Sequence, residues 1–70
     1  MRASVQFRRG IKAAVKVTGI SERQACLRSG HNENQINRFH GGADIKLSTL
    51  DDICRRGFGM SFDTVYRMGA

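Results

Sequence analysis

The chain has no proline, only two cysteines, and an aromatic set of four phenylalanines and one tyrosine. No apolar run approaches the roughly 20 residues of a membrane span, and the charged N-terminus lacks the apolar core of a signal peptide, so a cytoplasmic location is expected. Two cysteines in a helix-patterned chain do not make a disulfide framework. Cys26, His31, His40 and Cys54 are residue types that bind zinc, but no pair has C-x-x-C spacing and both cysteines fall on apolar stripes. Neither a metal site nor a Cys–His nucleophile is therefore expected. Nothing alternates with period two, so there is no strand for a glycine-rich phosphate loop to follow. Few aromatic platforms are present for stacking single-stranded bases, which counts against RNA. The expectation is a non-enzyme without a cofactor, and the 70 residues suit one small domain, residues 1–70.

Acids are scarce too: six against twelve Lys and Arg, a net charge of +6. The excess is uneven. Residues 1–20 carry Arg2, Arg8, Arg9, Lys12 and Lys16 and no acid, whereas residues 41–70 balance Lys46, Arg55, Arg56 and Arg67 against Asp44, Asp51, Asp52 and Asp63. One-sided charge suits a polyanion contacted from that side; it also suits a solvated face that keeps the protein dispersed.

Apolar spacing of three and four predicts helices throughout. Phe7, Ile11, Ala14 and Val15 align on a first helix near residues 4–18, unless its first residues form a loose arm. Gly10 inside it should cost about 1 kcal/mol relative to alanine. Leu47, Leu50, Ile53, Cys54 and Gly57 form the stripe of a fourth helix. Phe62, Val65 and Tyr66 form a fifth, with Ser61 as N-cap.

Residues 19–42, GISERQACLRSGHNENQINRFHGG, are the richest stretch. Ser21 with Gln24 is a capping box, and Asn32 with Gln35 repeats the spacing. Between them Ser29-Gly30-His31 provides a turn, with Gly30 able to take a left-handed backbone. A second helix of about residues 22–29 and a third of about 33–40 then make a helix-turn-helix over about residues 21–41. In the third helix Ile36 and Phe39 point to the core, and Asn34, Asn37, Arg38 and Gly41 point away. Amide and guanidinium groups are the types that pair with adenine and guanine edges.

With these residues in view, Ile20 to Val65 resembles the lambda-repressor-like helix-turn-helix domains of phage repressors, Cro proteins and related bacterial regulators. The matches are Ser21 at the cap, Cys26 at the small position, Gly30 at the turn, Ile36 and Phe39 as anchors, Gly42 after them, the Leu47–Cys54 stretch and Phe58-Gly59-Met60-Ser61-Phe62-Asp63. The resemblance implies an all-α, five-helix domain that binds operator DNA, usually as a dimer. The chain departs from that pattern at Glu22, where a phosphate-binding glutamine is common. It departs also at Ala25, smaller than the usual aliphatic residue, at apolar Leu27 in an exposed position, and at His31 in the turn.

Carried onto this chain, the base readers are Glu33, Asn34, Asn37 and Arg38. Glu33 has a second role open to it, as an acid at a helix N-terminus. The phosphate candidates are Arg8, Arg9, Lys12, Arg23, Asn32, Gln35, the Gly41 backbone and Lys46. Phe58, Phe62, Val65, Tyr66 and Met68 either form a dimer surface or only close the core. The function expected is a nucleoid-associated transcriptional regulator of double-stranded operator DNA, a small phage- or prophage-type repressor of Cro-like kind, with RNA polymerase or another regulator as a possible partner. The alternative is a helix-turn-helix protein-interaction module, an adaptor or antitoxin, in which DNA binding is secondary.

Overall fold

A computed structural model describes residues 3–70. Among these every regular element is helical: α1 (Ala3–Thr18), α2 (Glu22–Arg28), α3 (Gln35–His40), α4 (Leu47–Asp52) and α5 (Phe62–Met68), with a π-helical segment, Ile53–Phe58, continuing α4. Phe7, Ile11 and Ala14 of α1 face inward as their spacing predicts, and meet Ala25, Cys26, Ile36, Phe39, Leu50, Ile53, Cys54, Phe58 and Val65 in one core. Val5-Gln6-Phe7 belongs to α1 and is not an arm.

The α1–α5 contact depends on glycine. A Cβ built on Gly10 would collide with the Val65 carbonyl, and one on Gly69 with the Gln6 carbonyl. The two helices thus lie backbone to backbone, and the Gln6 side-chain amide donates to the Tyr66 carbonyl across the seam at 3.0 Å. Gly10 costs helix propensity but permits this approach. Gly57 does the same between the π-helical segment and α2: its Cβ would stand 2.5 Å from the Ala25 carbonyl oxygen and 2.8 Å from the Ala25 Cβ. Ala25 is therefore small because a backbone packs on it, and the core there is filled rather than thin.

Helix α2 starts as its sequence dictates. Ser21 Oγ accepts from the Gln24 amide at 3.1 Å and Gln24 Oε1 accepts from the Ser21 amide at 3.0 Å. Ser21→Ala is expected to remove about 1 kcal/mol of stability, read as a fall of about 4–8 °C in melting temperature. Gly30, at φ +80, ends the helix and turns the chain, and the His31 amide closes onto the Cys26 carbonyl at 3.0 Å.

The second box does not form. Asn32 Oδ1 accepts from the Asn34 amide at 2.8 Å, one residue too early for a box with Gln35. Helix α3 accordingly begins at Gln35, two residues later than its spacing suggests, with Asn34 at the N-cap position and no side-chain cap bond. A tight Asn-stabilised turn has taken over the local backbone, a competition to which asparagine is prone.

Two further expectations are corrected. Leu47 lies on the apolar stripe of α4 yet is 65% exposed, and the stripe continues as a π-helical turn closed by Gly59 at φ +74. Ser61 does cap α5, accepting from the Thr64 amide at 3.1 Å.

Candidate nucleic-acid interface

Helix α3 is held by its apolar face. Ile36 and Phe39 are buried. The Phe39 ring meets Phe7 edge-on, with centroids 5.8 Å apart. Its short length gives it little stability of its own, so packing and side-chain bridges fix it. The His40 ring reaches back to Glu22 at the start of α2, Nε2 to Oε1 2.9 Å. His31, in the turn, meets Asp52 of α4 at 3.2 Å. Arg23 of α2 bridges to Glu33 at 2.8 Å.

The opposite face is open. Asn34, Asn37, Arg38 and Gly41 are exposed, while Glu33 is half-buried and engaged by Arg23. Both acids of the helix-turn-helix, Glu22 and Glu33, thus sit against a basic side chain. Such pairs add little stability when exposed, but they remove two bare carboxylates from the neighbourhood of α3. Glu22 has a partner that its sequence position does not reveal.

The phosphate candidates divide. Lys12 and Arg23 line a cleft of about 480 Å³ between α1 and the start of α2, with Val15, Lys16, Ser21 and Glu22. Lys16 belongs to the basic segment but is not among the phosphate candidates; its signal is the four-residue spacing from Lys12, which puts both on one face of α1. Gln35, Arg38 and Lys46 line a second cleft, of about 340 Å³, between α3 and α4, with Asp44, Ile45 and Thr49. Arg9 is exposed. Arg8 is different: its guanidinium carbon lies 5.1 Å from the centre of the Phe39 ring, and its Nε is buried without a hydrogen-bond partner.

One candidate loses its expected donor. The Gly41 amide bonds to the Asn37 carbonyl, and the amides of Gly42 and Ala43 bond to Phe39 and Arg38. This loop has no free N–H there to offer a phosphate, although Gly41 still lets a backbone come close. The Asn32 side-chain oxygen is committed to Asn34. Of the candidate dimer residues, Phe58 and Val65 are buried in the core at 4% and 0% exposure, so they are withdrawn from any dimer surface. Phe62, Tyr66 and Met68 are only partly covered. Phe62 and Tyr66 line an apolar groove of about 250 Å³ with Ser4, Phe7, Phe39 and Leu50.

Both thiols are inside. Burial raises the pKa of Cys26, partly offset by the Ile36 and Gln35 amides, with Glu22 raising it further. Burial, then the charge of Asp51, pushes Cys54 up to about 12. Below the ordinary value of 9.0 this thiol is protonated in both folded and unfolded chains; between 9.0 and about 12 only the unfolded chain gives up its proton. Stability should therefore be indifferent to Cys54 below pH 9 and fall above it. Melting temperatures followed from pH 8 to 11 should show a shallower decline for Cys54→Ala than for the parent chain. Among the described residues, no three of the His, Cys, Asp and Glu side chains converge to hold a metal ion, and no helix is long and apolar enough to cross a membrane.

No protein-family model matches this chain, and neither does any curated protein or solved structure.

Proposed function

We propose that the chain is a lambda-repressor-like regulator of transcription that binds double-stranded DNA sequence-specifically, with α3 in the major groove. The observation that carries this reading is the face of α3. Asn37 and Arg38 stand exposed on a helix anchored by buried Ile36 and Phe39, with Asn34 exposed at its N-cap position. These are side chains whose fixed forks pair with purine edges. Clefts holding Lys12, Lys16 and Arg23 on one hand, and Lys46 beside Arg38 on the other, supply cations for the flanking phosphates. Phosphate contacts of this kind provide most of the affinity and make it fall with salt.

A homodimer through Phe62, Tyr66 and Met68 would cover the apolar groove that Phe62 and Tyr66 line with Ser4, Phe7, Phe39 and Leu50. On a palindrome its two α3 helices would then lie about 34 Å apart. Selection of bound duplexes from a random pool, followed by a salt titration on the winner, tests the reading. A two-fold symmetric consensus with a steep salt slope is the expected result; no enrichment overturns it.

A further inference from the structure

Five of the six acids are engaged by a basic side chain: Glu22 by His40, Glu33 by Arg23, Asp51 by Arg55, Asp52 by His31 and Asp63 by Arg67. Asp44 is the exception. It is exposed in the loop between α3 and α4 and forms no ion pair among the described residues. Cations are close by, since Asp44 lines the cleft between α3 and α4 together with Arg38 and Lys46. Neither of those has an acidic partner among the described residues. One carboxylate and one guanidinium therefore open into the same space, and neither consumes the other.

The loop holds Asp44 in place. On one side the Ala43 amide bonds to the carbonyl of Arg38 itself, at 3.0 Å. On the other, Ile45 packs against the core. A bare acid beside a helix that enters DNA is repelled by phosphates, so its presence there needs a base that welcomes it. An ionised carboxylate only accepts hydrogen bonds. In the major groove guanine and thymine present acceptors, and the adenine amino group stands beside the N7 acceptor. Cytosine offers its N4 amino group as a donor.

We infer that Asp44 is a specificity-determining residue outside α3, accepting a hydrogen bond from a cytosine amino group within one base pair of the guanine that Arg38 contacts. Lys46, in the same cleft, meets a neighbouring phosphate and offsets the repulsion of the carboxylate. The inference rests on the DNA reading proposed above and adds to it a reader that no helical pattern marks.

Duplex selection from one random pool with the parent chain, Arg38→Ala and Asp44→Asn tests it. The parent consensus should hold a cytosine within one pair of the position that Arg38→Ala relaxes. Asp44→Asn should lose that cytosine and turn to adenine, whose N6 and N7 a carboxamide matches. Changing the C·G pair to T·A should weaken the parent about tenfold or more and leave Asp44→Asn nearly unaffected. The melting temperature should not move, because Asp44 is exposed and has no ion pair to lose. If Asp44→Asn tightens every duplex equally and keeps the parent consensus, the carboxylate is only a rim charge; the inference falls and the DNA reading stands. A preference that changes more than one pair from the Arg38 position overturns it equally. A parent chain that enriches no duplex overturns both.

Discussion

Gly10→Ala is expected to destabilise the protein by about 3 kcal/mol or more, the upper end of what overpacking costs. On helix propensity alone the sign would be the reverse, since alanine is favoured over glycine by about 1 kcal/mol inside a helix. Packing decides it. The new methyl would enter the space of the Val65 carbonyl, and the atoms in the way are backbone, which cannot swing aside as a side chain can. Either α1 and α5 separate, breaking the Gln6–Tyr66 bond, or the core around Val65 opens. For a chain of this size the melting temperature should fall by roughly 12 °C or more. Gly19→Ala is the control: its Cβ meets nothing within 4 Å, but its backbone is left-handed at φ +72, so its cost should stay near 1–2 kcal/mol. A Gly10→Ala chain that melts higher than its parent would show that the α1–α5 seam is wrong.

Arg38→Ala and Asn34→Ala have the second large effect. Each should reduce affinity for the selected duplex by about 1–3 kcal/mol, roughly five- to 150-fold, and relax the preference at one base position. Both side chains are exposed, so thermal stability should stay the same, and binding to unrelated duplexes should change much less. Lys12→Ala and Lys46→Ala should behave differently. Each should weaken all sequences about equally and reduce the salt slope by about one. If Arg38→Ala and Asn34→Ala leave duplex selection unaltered, α3 is not the reader.

The helical plan was legible because its signals are local. Ser21 and Gln24 stand three apart with no competitor, and the box forms as written. Ile36 and Phe39 follow the helical period and are buried. Asn32 and Gln35 carry the same spacing, but asparagine has a second option two residues on, and that shorter loop prevails. What could not be read was long-range. Gly10 and Gly57 look like helix weaknesses until Val65 and Ala25 arrive from other elements. Phe58 and Val65 could not be sorted from Phe62 and Tyr66 by spacing, because only the tertiary packing shows which are covered. The His40–Glu22 pair joins residues eighteen apart, beyond the reach of any helical pattern.

Those cross-links have a consequence for how the exposed face of α3 behaves. The helix is only six residues long, too short to persist alone. Yet buried Ile36 and Phe39 pin it, His40 links its end to α2, and the turn before it is tethered by Arg23–Glu33 and His31–Asp52. Its backbone freedom is already lost when the protein folds. Whatever approaches Asn34, Asn37 and Arg38 therefore meets a rigid comb whose teeth keep fixed spacing, and binding there has only side-chain tips left to arrange.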